Sequence, residues 1–327
     1  MRLGYTLLTE QSGPRALVGH AVRAEQAGFD FEVMSDHYSP WLDSQGHAPY
    51  AWSVLGAVAH ATERVELMTY VTCPIMRYHP AVVAQKAATI QLLSDNRFLL
   101  GLGAGENLNE HVVGTGWPPV NVRHAMLGEA LQIINDLFDG GYTNFVGDHY
   151  RVDSAKIWSL PEVRPPVGVA VSGEASVRRF APLADALVAV QPESWLCSLW
   201  DEVRTTSNAE PSRKIGQLPV CWDTDRDAAV ARAHDQFRWF AGGWKVNAEL
   251  PGTQAFAAAT QFVTPDDVAA SIPCGADVDR VVESARAFFD AGFTDLALVQ
   301  IGGEHQEVFL DAAERELLPA LREAGSR

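Results

Sequence analysis

Short apolar runs of strand length alternate with amphipathic stretches from one end of the chain to the other. Eight runs predict core strands, at residues 3–8, 29–35, 65–71, 97–103, 167–172, 186–190, 217–222 and 295–302. Between them the apolar positions recur at helical spacing. The pattern predicts helices over 14–27, 50–62, 80–93, 122–138, from near 174, over about 195–206, 225–240, 277–291 and 306–324. The punctuation agrees. Gly28 and Gly292 stand where two helices should stop, and Pro14 and Pro80 stand in first turns. Two segments break the alternation. Residues 140–158 read as a β-hairpin turning at Gly147-Asp148. Residues 242–264, rich in Gly, Ala and Thr and carrying Pro251, read as an irregular insertion or lid.

Eight strands, each followed by a helix, predict a (β/α)8 TIM barrel, because parallel strands need long crossovers and helices supply them. A plain barrel takes about 250 residues, and the two excursions absorb the excess. A single domain over 1–327 is expected. A doubly wound sheet is the rival. Its first strand-to-helix turn would carry a phosphate-binding fingerprint, and Thr9-Glu10-Gln11-Ser12-Gly13-Pro14 has none.

Composition narrows the function classes. The chain has 327 residues, 41 acidic against 25 basic, for a net charge of −16. Nucleic-acid binding needs clustered cations, and no long basic run occurs. Only four lysines are present (Lys86, Lys156, Lys214, Lys245), which disfavours an anionic membrane surface. No apolar run approaches the ~20 residues of a membrane span. The four cysteines stand apart with no CxxC spacing, so neither a zinc ribbon nor a redox dithiol is indicated. A cytoplasmic protein acting on a small molecule, with no metal, is the expectation.

In a barrel, chemistry gathers at the C-terminal ends of the strands. After the second strand comes Ser35-Asp36-His37-Tyr38-Ser39-Pro40-Trp41. His37 stands there beside an acid and two aromatics, and imidazole is suited to accept a proton near neutrality. A loop histidine with no task is the plain alternative. After the fourth strand, Glu106 lies between glycines and asparagines, either an acid or a carboxylate capping a helix start. The run Gly101-Leu102-Gly103-Ala104-Gly105 lacks the full dinucleotide spacing, and is read as letting a flat ring approach the backbone. Ser172-Gly173 before a helix is an anion site or an ordinary cap.

Together these segments resemble a family. The stretch around His37 with Gly46-His47-Ala48-Pro49 resembles the signature of deazaflavin (coenzyme F420)-dependent glucose-6-phosphate dehydrogenases, in the luciferase-like barrel superfamily. So do residues 69–74, Arg77-Tyr78-His79-Pro80-Ala81-Val82, residues 103–110 and Gly147-Asp148-His149-Tyr150-Arg151. The match is dense over residues 1 to about 190 and thin afterwards. The resemblance implies F420 as cofactor, with FMN as the alternative on the same barrel. It implies His37 as general base for a substrate hydroxyl and Glu106 as the acid that protonates the ring nitrogen. It places Asp36, Tyr70, Val71, Gly105, Asn109, Ser172, Gly173 and Glu174 at the cofactor, with a non-proline cis peptide at Tyr70-Val71. Trp41, Glu193 and Trp195 fall to the substrate, and a homodimer is implied. A cofactor binder without turnover is the reading from another class, and it needs neither His37 nor Glu106.

The departure lies in the second half. The sugar-phosphate enzymes hold the phosphate with lysines and an arginine there. Here the corresponding stretches are Gln191-Pro192-Glu193-Ser194-Trp195 and Val268-Ala269-Ala270-Ser271-Ile272-Pro273. A phosphate without paired cations is poorly held, so glucose 6-phosphate is not expected as substrate. Trp195, Trp200, Trp239 and Trp244 point to a broader, more apolar pocket. Lys245, Arg238 and Arg280 are the cations that could rescue phosphate binding.

Overall fold

A computed structural model describes residues 1–207 and 212–326. Ten strands form: β1 (Arg2–Leu7), β2 (Phe31–Met34), β3 (Glu66–Thr69), β4 (Phe98–Leu102), β5 (Thr143–Val146), β6 (Arg151–Ala155), β7 (Val167–Ala170), β8 (Ala186–Val188), β9 (Arg213–Val220) and β10 (Asp295–Gln300). Eight of them close a parallel barrel in the order β1-β10-β9-β8-β7-β4-β3-β2. The (β/α)8 expectation is met strand for strand. The seam closes where β1 pairs with both neighbours, Gly4 lying opposite Ala297 on β10 and Phe31 on β2.

Alternation along each strand fills the barrel from within and clothes it from without. Phe31, Val33, Met68, Leu99, Ala186, Val188, Ile215 and Ala297 pack together inside. Leu3, Tyr5, Leu7, Met34, Leu67 and Leu100 point outward, into the main core shared with the helices. At the N-terminal end Arg213 pairs with Glu66 at 2.6 Å and Asp295 at 2.7 Å, and so ties three strands together.

Two segments stand outside the barrel alternation. β5 and β6 make the hairpin, whose turn is held by Glu129 accepting from the amides of Asp148, His149 and Tyr150. Tyr150 donates its hydroxyl to Ile75 O at 2.8 Å, which docks the hairpin on the segment after β3. Residues 242–264 contain the short helices Trp244–Asn247 and Thr253–Ala259, flanked by a 3-10 turn (Arg238–Gly242) and the helix Pro265–Ser271. Together they roof the C-terminal mouth through an apolar cluster of Trp239 and Phe256 with Trp41, Leu42 and Leu108. Asn107 N also donates to Ala248 O at 3.0 Å.

Most boundaries fall within about two residues of expectation, two shift further, and one helix is irregular. β9 starts at Arg213, because Arg213 and Lys214 find acidic partners at the barrel floor and their charge does not end the strand. The helix after β9 ends at Phe237, where the lid cluster takes over. The last helix contains a π turn over Ala313–Leu317. No described helix is long and apolar enough to cross a membrane. Among the described residues no cluster of metal-ligating side chains occurs. All four cysteines are free and buried.

Candidate active site

β2 ends at Met34, and the chain leaves the barrel through Ser35, Asp36 and His37. His37 is 8% exposed. Its Nδ1 lies 2.7 Å from Glu10 Oε1, and its Nε2 lies 2.9 Å from Glu106 Oε1. Glu10 comes from the turn after β1 and Glu106 from the end of β4, so three strand ends build one acid–base line. Glu10 is fully buried, and its second oxygen accepts from Ser35 Oγ at 2.7 Å. Asn109 donates to Glu106 Oε1 at 2.9 Å and accepts the amides of Tyr38 and Ser39 at 2.8 and 3.0 Å. It thereby spaces Glu106 from the loop that carries His37. Trp41 meets the His37 ring edge-on, with centroids 4.9 Å apart, and stacks on Trp239 of the lid at 4.1 Å.

The electrostatics decide which protonation state rests in the site. Burial alone would strip the proton from His37. The charge and hydrogen bond of Glu10, followed by those of Glu106, outweigh it and push the pKa up to about 10. Burial raises the two carboxyls, but pairing with His37 holds both below 4.5. At neutral pH the site therefore holds an imidazolium between two carboxylates. Moving one proton across the 2.9 Å from Nε2 to Glu106 leaves a neutral base facing a neutral acid. Glu10 keeps the Nδ1 proton in place, so the freed lone pair is on Nε2.

A cavity opens over this line. One wall is Tyr70, Val71, Val190 and Pro219, with Gln191 and Gln217 as its polar members; the lid contributes Phe237, Trp239, Phe240 and Trp244. Among the described residues no lysine or arginine lines it. Lys245 is exposed. The guanidinium of Arg238 bonds Asp235 O at 2.7 Å, and that of Arg280 bonds Ala269 O.

The sequence-derived candidates divide. His37, Glu106, Trp41, Tyr70 and Val71 line the cavity, and the Tyr70-Val71 peptide bond is cis. Asn109 acts on the cavity through Glu106. Asp36 is 2% exposed and faces away from the cavity, accepting from Thr72 Oγ1 at 2.8 Å, Trp52 Nε1 at 3.1 Å and the Tyr78 hydroxyl at 3.2 Å. The glycines after β4 are also required by the chain's own packing. Their missing side chains make room for this chain itself: a Cβ on Gly103 would lie 2.7 Å from Val71 Cγ2, and one on Gly105, where φ is +74°, would lie 2.4 Å from Cys73 Sγ. Ser172, Gly173 and Glu174 follow β7 on the same rim. The Gly173 amide donates to Ser176 Oγ at 3.2 Å, and Glu174 pairs with Arg178 at 2.8 Å.

Glu193 and Trp195 are exposed at the start of the helix Ser194–Thr206 and bonded to each other at 3.1 Å; Val190 and Gln191, just before them, line the cavity. Trp200 is wholly buried core. Glu10 is the residue that sequence reading missed. Its one signal in the sequence is a carboxylate just past the first strand, in the turn Thr9-Glu10-Gln11-Ser12-Gly13-Pro14.

A buried base–acid pair under a roofed cavity at the C-terminal mouth of a (β/α)8 barrel has the layout of a barrel enzyme. The profile of the luciferase-like monooxygenase family matches residues 1–295, and the chain belongs to that family. It is 33% identical to an F420-dependent glucose-6-phosphate dehydrogenase of Amycolatopsis mediterranei (strain U-32), covering 99% of this chain and 100% of that one. An F420-dependent glucose-6-phosphate dehydrogenase 2 of Rhodococcus jostii (strain RHA1) is also 33% identical, with 99% of each covered. Among solved structures, an F420-dependent secondary alcohol dehydrogenase in complex with an F420-acetone adduct superposes with a TM-score of 0.87. The two are 28% identical, over 98% of this chain and 99% of that one.

Proposed function

We propose that the protein is an F420-dependent oxidoreductase that moves a hydride between the deazaflavin and the carbinol carbon of an uncharged alcohol, or back to the matching carbonyl. The observation that carries this reading is the His37–Glu106 pair on a cavity otherwise walled by apolar and aromatic groups. The residues fit such a cofactor. An alcohol–carbonyl interconversion needs a proton acceptor and a hydride carrier; the described wall offers the first, and none of its side chains can carry a hydride. Its apolar face of Tyr70, Val71, Val190 and Pro219 suits a flat ring, and the two glutamines offer amide groups to a polar ring edge. Tyr70, Val71, Gly105, Asn109 and the Asp36 segment would hold the ring end. Ser172, Gly173 and Glu174 would hold the rest along the rim.

Bound F420 supplies the hydride acceptor or donor. The protein does the remainder. In the oxidation direction His37 first passes its Nε2 proton to Glu106. Nε2 then takes the substrate hydroxyl proton, while Glu10 retains Nδ1–H and stabilises the imidazolium that results. Glu106 meanwhile holds its proton as a neutral acid on the cavity wall. In the reduction direction the resting imidazolium is already the proton donor. Trp41, Trp239, Phe240 and Trp244 keep water from the reacting carbon.

An uncharged substrate follows from the wall. A sugar phosphate would lose hydration, find no lysine or arginine there among the described residues, and meet the charge of Glu10 and Glu106. The proposal extends to a cytoplasmic homodimer, supported by Val82, Leu92 and Leu93, which are exposed on the helix Pro80–Leu93 and available to a partner. Steady-state kinetics with F420 test the substrate reading. Uncharged secondary alcohols should outperform glucose 6-phosphate by 100-fold or more in kcat/KM. A glucose 6-phosphate efficiency of roughly 10⁴ M⁻¹s⁻¹ or above would show that other groups replace the missing cations.

A further inference from the structure

Arg77 sits in the segment after β3, outside the cavity wall, with its side chain 7% exposed. Its guanidinium is engaged on several sides. Nη2 donates to Asp36 O at 2.6 Å, the carbonyl of the peptide that leads into His37. Nε donates to Glu110 Oε1 at 2.8 Å, and the Arg77 amide donates to Glu110 Oε2 at 3.0 Å. Nη1 lies 3.4 Å from the Tyr78 hydroxyl, which itself donates to Asp36 Oδ1. Glu110 is fully buried and closes the one-turn helix Asn107–Glu110, where its amide donates to Glu106 O at 3.2 Å. One cation thus spans the segment carrying the base and the turn carrying the acid.

We propose that Arg77 is a positioning residue that sets the reach between His37 and Glu106 by clamping the Asp36 carbonyl to the Glu110 turn. The proposal rests on the acid–base reading of those two residues. Asn109 forms a parallel tie between the same two segments, but it is neutral and contacts Glu106 directly. Arg77 adds what an amide lacks, a permanent charge among Asp36, Glu106 and Glu110 and a planar fork that bonds in two directions. The charged or titratable groups facing Glu106 are His37 from the end of β2, Cys73 and Arg77 from the segment after β3, and Glu110 from its own turn. Glu10 lies behind His37. Arg77 is the fixed positive charge of this set, and it favours the ionised form of both Glu106 and Glu110.

The test uses the full chain with Arg77→Met and Arg77→Lys, read in three ways. In F420-free protein, carboxyl ¹³C NMR should show Glu106 titrating at higher pH in R77M than in wild type, and close to wild type in R77K. F420 affinity, read by fluorescence quenching, should stay within threefold of wild type, because Arg77 does not line the cavity. Turnover should fall about 10²-fold in both variants with KM little changed, because lysine restores the charge but not the fork. Thermal destabilisation with Glu106 titration and kcat unchanged would mean a merely structural residue and overturn the proposal. If R77M does not fold, R77K and Glu110→Gln decide: a tenfold or greater loss of kcat in both supports the clamp, and a loss below threefold in either overturns it. If wild-type protein does not bind F420, the proposed function fails on its own, and the Glu106 titration still judges the clamp.

Discussion

Replacing Glu10 with Gln probes the half of the acid–base line that faces away from the substrate. The side chain keeps its size, and its amide oxygen can still accept the His37 Nδ1 proton. What goes is a negative charge 2.7 Å from the ring. Burial is the largest single influence on His37 and favours the neutral ring; Glu10 is the largest influence against it. The rise from 6.5 to about 10 corresponds to roughly 5 kcal/mol of preference for the imidazolium, most of it owed to Glu10. Without that charge, burial regains control and the pKa should drop by about 3 or more, to below neutrality. The imidazolium that forms when a hydroxyl proton is taken loses its buried counterion, so kcat for alcohol oxidation should fall roughly 10²–10³-fold. Imidazole ¹⁵N NMR of F420-free protein reads the first effect, and F420 absorbance in steady state reads the second. A His37 that still titrates near 10, or a kcat within threefold of wild type, would refute the reasoning.

His37→Ala should lower alcohol turnover by about 10²–10⁴-fold with little change in F420 affinity, and Glu106→Gln should also slow turnover because an amide delivers no proton; wild-type rates in both would exclude the mechanism. The charged triad also leaves a mark on stability. The His37 contribution is fully present below pH 6.5 and is lost as pH rises to about 10, whereas those of Glu10 and Glu106 are present above pH 4.5 and are lost as pH falls through their lowered pKa values. Urea unfolding of wild type against His37→Ala should show a gap that closes between pH 6.5 and 10, and a constant gap would contradict the pairing. Light scattering at micromolar concentration should return twice the chain mass, and a monomer would end the dimer proposal.

The barrel was legible because its signal is local. Each core strand is a compact apolar run, and several helices carry a stop at a glycine or a start at a proline. The hairpin announced itself through Gly147-Asp148. Other features depend on pairing across the fold. β9 runs through Arg213 and Lys214 because acids from other elements meet them at the floor. The lid showed no regular period, since its helices are held by aromatic stacking on Trp41 and not by an amphipathic face of their own. In the site, His37 and Glu106 could be picked out because each sits one step beyond a strand. Glu10 has the same position but lacks a distinctive neighbourhood, and only the distance to His37 reveals it. Glu193 and Trp195 follow a strand too, and they stand exposed at the helix start beyond it.

Anaerobic fluorescence titration of the purified protein with F420 and, separately, with FMN tests the central claim most directly. The account predicts a dissociation constant for F420 well below that for FMN. Binding of FMN as tight as that of F420, or tighter, would contradict it.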